Sequence, residues 1–185
     1  LLMSFGLTAM RETLNIWSPR YLQQAFHLDK GDASQLSSLY LILGAVSILL
    51  CGWLSDKMGK KGLLIAISTL PISILFLSLT FLNDSPVISI ALFSMIGFFL
   101  LGPYSFLAGA MSLDFGGKKG AATAAGLADS FGYVGGTLAV RFTGVLVEKY
   151  NWNYAFFMLA AIALLTTATA FVYFFTQERE KKWIV

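Results

Sequence analysis

Residues 52–62 read Gly52-Trp53-Leu54-Ser55-Asp56-Lys57-Met58-Gly59-Lys60-Lys61-Gly62, set between two long apolar runs. An apolar helix ends on a carboxylate, a glycine supplies the turn, and a basic cluster opens the next helix. Between helices the backbone must turn where water or headgroups satisfy its polar groups, and this stretch has the composition for that. Asp56 beside Lys57, Lys60 and Lys61 also has the makings of a conformational latch, a charge contact formed in one state and broken in the other. The same lysines serve equally well as a basic loop that only fixes orientation across a bilayer.

Outward from that turn the chain stays apolar. Apolar residues make up 57% and charged residues 12% of its 185 residues, against about 25% charged in an ordinary soluble domain. Mean hydropathy is +0.73. At roughly 20 residues per crossing, the length holds about six membrane spans with short loops. The expected fold is therefore an all-α membrane protein with spans at about 2–26, 34–56, 62–82, 87–114, 121–147 and 154–176, forming one bundle over 1–176, and a tail at 177–185. No secretory leader is expected, because apolar stretches recur along the whole chain. The first residue, Leu1, lies inside an apolar run, which reads as a fragment lacking an upstream half. Cys51 is the only cysteine, so no internal disulfide is expected, and the net charge of +3 calls for no nucleic-acid partner.

Lysine and arginine fall unevenly among the loops. Lys57, Lys60, Lys61, Lys118, Lys119, Arg179, Lys181 and Lys182 lie at one end, against Arg20, Lys30 and Lys149 at the other. The positive-inside rule puts the richer end, with the C-terminal tail, in the cytoplasm. Trp17 and Trp152 then fall near the outer interface, Trp53 and Trp183 near the inner one, where amphipathic rings sit. Six spans divide into two sets of three running in opposite senses, the plan of inverted 3+3 repeats in one half of a transporter.

Arg11 is the most informative single residue. Ten residues at 1.5 Å rise put it about 15 Å deep, near the bilayer midplane. A charge there is expensive and faces a cavity or a partner. Ser4, Thr8, Arg11, Asn15 and Ser18 follow steps of four and three, so they share one helix face. A polar stripe of this kind suits a water-filled pathway, and a planar guanidinium holds phosphate or carboxylate through two parallel hydrogen bonds. An anionic substrate follows, and a structural pairing of Arg11 with Glu12 is the competing reading. Glu12 lies about 100° around the helix and could instead be a proton site. Pro19 ends regular hydrogen bonding and frees the carbonyl of Asn15; Gly102-Pro103, followed by Tyr104, makes a second break.

The fifth span is rich in small residues, with Gly132 and Gly136 forming a GxxxG pair that admits another helix closely. Asp129 and Tyr133 lie four apart on the same span. Asp129 reads as a proton site, an arginine partner or a structural hydrogen bond, and Tyr133 as a hydroxyl donor in an anion site. Arg141 sits nearer the outer end, where long cations snorkel. Asn83-Asp84-Ser85 has the form of a glycosylation acceptor, but the following Pro86 argues against its use.

The 52–62 run resembles the loop signature of the major facilitator superfamily, in its second-half copy. Arg11-x5-Trp17-Ser18-Pro19-x-Tyr21-Leu22, Gly102-Pro103, and Lys118-Lys119 leading to Ala122-x-Ala124-Ala125-Gly126 and Phe131-Gly132-Tyr133-x-Gly135-Gly136 are similar to the organophosphate:phosphate antiporter family. The resemblance implies the C-terminal half of a carrier that exchanges glycerol-3-phosphate or a sugar phosphate for inorganic phosphate by rocking two halves. It implies that Arg11 binds phosphate, that Tyr133 lies near the substrate, and that the setting is a bacterial inner membrane. Leu101 stands where such members often carry tyrosine, and Glu12 and Asp129 add carboxylates. A proton-coupled symporter of carboxylates or sugar acids would suit those acids, and a membrane sensor of hexose phosphate is the reading from another class. Enzyme action, a cofactor and a metal are not expected: His27 is the only histidine, and no nucleophile has a positioned base.

Overall fold

The computed structural model describes residues 1–82 and 85–179, so the Asn83 acceptor and the tail from 180 onward lie outside the described residues. Every regular element described is helical. In order they are α1 (Leu2–Phe26), α2 (Lys30–Ser37), α3 (Leu39–Met58), α4 (Lys61–Phe81), α5 (Pro86–Ala108), α6 (Ala110–Lys149) and α7 (Trp152–Tyr173), followed by a π-helical turn, Phe174–Glu178. The expected tail thus begins within that turn rather than after it.

Local chemistry explains the boundaries. Asp29 caps α2 by accepting from the Gly31 amide at 3.0 Å, and Asn151 caps α7 through the amides of Asn153 and Tyr154. Such side chains satisfy amides that have no partner inside the helix. Pro86 opens α5, where its missing amide hydrogen costs nothing. Gly59 stops α3 in the left-handed region, φ 62°, its amide donating to the Ser55 carbonyl at 2.8 Å. The loop expected at 115–120 narrows to one residue: Gly117, φ 58° and ψ −171°, interrupts α6. Only glycine takes that conformation without strain.

Six separate spans were expected. Among the described residues, four runs are long and apolar enough to cross a membrane: Lys30–Met58, Lys61–Phe81, Pro86–Lys149 and Trp152–Glu178. The third is 64 residues long, about three times one crossing, because the irregular backbones at Gly109 and Gly117 are too brief to divide it. α1 is outside this set, since Arg11, Glu12, Arg20 and a series of hydroxyl and amide side chains lower its apolarity.

Packing follows small residues and satisfied hydroxyls, the usual glue where apolar burial alone does not drive helices together. α1 packs mainly on α6, α3 on α5, and α4 on α7. Thr69 and Thr167 donate to carbonyls one turn back in their own helices, and Thr167 also meets Thr69 at 2.8 Å, joining α4 to α7. The core joins Leu7, Met10 and Leu14 of α1 to Ile72 and Phe76 of α4 and Leu100 of α5. At the end away from the lysines, fully buried Tyr21 stands edge-on to Phe93, Trp152 and Phe156, contacts worth about 0.5–1.5 kcal/mol each beyond burial. α3 differs from the rest: Ile42, Val46, Leu49 and Leu50 are exposed, a surface that belongs against lipid or another apolar body.

Candidate functional site

α1 and α6 approach closely because α6 presents glycine. A Cβ at 132 would come within 2.5 Å of Thr8 Oγ1 and 2.7 Å of Ser4 Oγ, and one at 136 within 2.9 Å of Glu12 Cγ. The GxxxG pair therefore receives α1, and its second glycine seats the stem of Glu12. This contact divides the polar stripe read from the sequence. Ser4 is buried and donates to the Ala128 carbonyl at 2.6 Å, Thr8 is buried against Gly132, and Ser18 donates to the Leu14 carbonyl. Ser4 and Ser18 are spent on backbone carbonyls, while Thr8 packs on Gly132 and also interacts with the Tyr104 hydroxyl. Arg11 stays partly exposed and Asn15 is exposed.

At Arg11 three elements meet. One terminal nitrogen of its guanidinium pairs with Glu12 Oε1 and also reaches the Tyr133 hydroxyl of α6 at 3.4 Å, a long contact. The guanidinium carbon stands 4.4 Å from the centre of the Tyr104 ring of α5, within cation–π range. Its Nε is buried and makes no hydrogen bond, and the buried Tyr40 hydroxyl of α3, which feels the charges of Arg11 and Glu12, makes none either. An unmatched donor in a buried place is costly, so this constellation holds capacity for further acceptor oxygens. It can hold an anion in two ways: through the guanidinium fork if Glu12 yields, and through the hydroxyls beside it.

The other site candidates fall apart from this cluster to differing degrees. Tyr133 is brought to Arg11. Asp129, a turn away on α6, is half-buried, makes no ion pair among the described residues and acts on Tyr104 through space. Among the described residues Asn15 and Arg141 make no side-chain hydrogen bond or ion pair with the cluster, and both are exposed.

The latch residues lie at the lysine-rich end. Asp56 and Lys57 are exposed, and Lys57 Nζ sits 5.3 Å over the Trp53 ring. Lys60 is buried with its amine 5.8 Å from the Phe174 ring centre. Lys61 donates to Asp114 at 2.8 Å and to the Ala110 carbonyl at 2.9 Å. Glu178, fully buried, accepts from the Gly62 amide at 2.8 Å. The acids joined here are thus Asp114 and Glu178, which sequence reasoning passed over in favour of Asp56. A carboxylate at the rim of an apolar span was the signal available for Asp114. Tyr104 and Tyr40 were likewise missed as members of the Arg11 cluster, and nothing in helix periodicity points to them.

A family model described as the Major Facilitator Superfamily matches residues 1–185. The chain is 37% identical over 160 residues to a glycerol-3-phosphate transporter of Bacillus subtilis, covering 80% of this chain and 34% of that protein. It is 30% identical over 162 residues to a glycerol-3-phosphate transporter of Haemophilus influenzae, covering 77% and 34%. With the glucose-6-phosphate exchanger SLC37A2 of Xenopus laevis it shares 31% over 159 residues, covering 80% and 31%. The chain spans about a third of the length of these curated relatives.

Proposed function

Because the chain belongs to the major facilitator superfamily, we propose that it forms the six-helix half of a secondary transporter exchanging an organic phosphate for inorganic phosphate by alternating access. The observation that carries this reading is Arg11, a guanidinium halfway along α1 with a buried Nε that no protein acceptor meets. Relatives named as glycerol-3-phosphate transporters and a glucose-6-phosphate exchanger support a phosphate ester as cargo. In this reading α1, α2 with α3, α4, α5, α6 beyond Gly117, and α7 each cross the bilayer once, as two inverted sets of three. The lysine-rich end is cytoplasmic and the membrane is a bacterial inner membrane. A second six-helix half, contributed by the rest of the protein, closes over the exposed face that carries Arg11, Asn15 and Tyr133.

Arg11 would clamp phosphate oxygens by parallel charge-assisted hydrogen bonds, with Tyr133 and Asn15 adding neutral donors. The decisive test is uptake of labelled glycerol-3-phosphate and glucose-6-phosphate into phosphate-loaded proteoliposomes of the full-length protein. Uptake strongly stimulated by internal phosphate is expected, and the absence of that stimulation in correctly inserted protein would sink the exchange reading. The Arg11–Glu12 pair and nearby Asp129 favour one other reading, proton-coupled symport of a carboxylate. Accumulation driven by an imposed proton gradient, without internal phosphate, would favour it.

A further inference from the structure

Resting on that organic-anion reading, we propose that Glu12 is the carrier's own counter-ion, which takes Arg11 when no substrate is bound and so lets the empty carrier reorient. Residues one apart on a helix do not face each other. Arg11 and Glu12 nevertheless pair, each 22% exposed, because outside supports bend both toward the same space. Gly136 leaves room for the Glu12 stem, and the Tyr104 ring backs the guanidinium. The other groups facing the pair are Tyr40 from α3, Tyr104 from α5 and Tyr133 from α6; Asp129 of α6 acts on Tyr104. None of them is basic. Among the described residues the charge of Arg11 is met by Glu12, the carboxylate in contact with it.

The consequence lies in what closure demands. Closing the second half over the site removes water, and a bare guanidinium resists that strongly. A carrier with a lone arginine closes only when an anion has neutralised it, which enforces exchange. Here Glu12 supplies the neutrality from within. Substrate must displace it, which weakens binding, while the unloaded site can close and return. Net one-way flux then accompanies exchange.

The test compares efflux of labelled glycerol-3-phosphate from proteoliposomes of the full-length protein, with and without external phosphate, for the wild type, Glu12→Gln and Glu12→Asp. The wild type is expected to sustain efflux into anion-free buffer well above protein-free vesicles. Glu12→Gln should lower the ratio of one-way efflux to exchange about tenfold and tighten half-saturating phosphate by a similar factor, since its amide cannot replace a charged partner. Glu12→Asp, which keeps the charge, should retain one-way flux. Wild-type efflux that stops without external phosphate overturns the proposal, and so does a Glu12→Gln ratio equal to wild type. Failure to move any phosphate ester would instead refute the exchange reading. In that event phosphate and gluconate binding, read by thermal shift, still decides the role of Glu12: unchanged affinity for both in Glu12→Gln refutes it.

Discussion

Two ion pairs, one midway along α1 and one at the lysine-rich end, join different things. Arg11 and Glu12 are neighbours on one helix, so their pairing links no second element. What reaches in from elsewhere is aromatic: Tyr104 from α5 and Tyr133 from α6. At the lysine-rich end, Lys61 of α4 bonds Asp114 and the Ala110 carbonyl of α6, while Glu178 beyond α7 caps the amide of Gly62. There the polar contacts tie three segments. The middle of α1 keeps unmatched donors. On the proposed reading, the contrast separates charge arranged for exchange of partners from charge arranged to hold elements together.

If that contrast is sound, the two regions should fail differently. The largest effect should come from Arg11→Lys, which keeps the charge and loses the fork: transport falls about 100-fold or more with the variant inserted and melting normally. Transport within a few-fold of wild type would remove Arg11 from the site. Next is Gly132→Val, which forces a branched side chain against Ser4 and Thr8. Overpacking of this kind costs about 1–3 kcal/mol, so unfolding in mixed micelles should shift accordingly and activity should fall with it. An unchanged melting curve would mean that α1 and α6 do not pack as described.

Smaller effects sharpen the other side. Asp114 is 36% exposed on its side chain and Lys61 14%, so Lys61→Met should cost no more than about 1 kcal/mol, and less in high salt. Its signature is a change in transport rate without loss of phosphate affinity. Weakened affinity with an unaltered rate would place Lys61 in the binding machinery and erase the contrast. Thr167→Val, which removes the contact to Thr69, should cost about 0.6 kcal/mol, the mean for hydrogen bonds between membrane helices. A loss several times larger would identify α4 and α7 as the weak seam of the bundle.

The all-helical class was legible from apolarity alone, and the motifs around Asp56, Trp17 and Tyr133 pointed to the family that the comparisons show. Arg11, Glu12 and Tyr133 were legible as polar exceptions in apolar helices. Their grouping was not. Periodicity gives the angle of a residue on its own helix but not the helix that faces it, so Tyr104, 93 positions beyond Arg11, could not be placed beneath the guanidinium. The polar stripe of α1 misled for the same reason: Ser4 and Thr8 look like pathway lining until Gly132 is known to press on them, and Ser18 until it is seen to bond the Leu14 carbonyl of its own helix. Gly117 was legible only as part of a loop, because a single left-handed glycine leaves almost the same composition as a longer turn.

One feature of α1 bears on biosynthesis. Its polar side chains keep it below the apolarity of the other long runs, and two of the helices that shelter it, α6 and α7, leave the ribosome well after it. A segment of that kind partitions poorly into lipid as it emerges, since charged residues at a helix centre oppose insertion by about 2.5–3.5 kcal/mol each. We therefore expect α1 to settle in the bilayer late, held near the translocation channel until α6 arrives. Chains truncated after α5 should leave engineered acceptor sites flanking α1 in mixed orientations, and chains extended through α7 should resolve them to one.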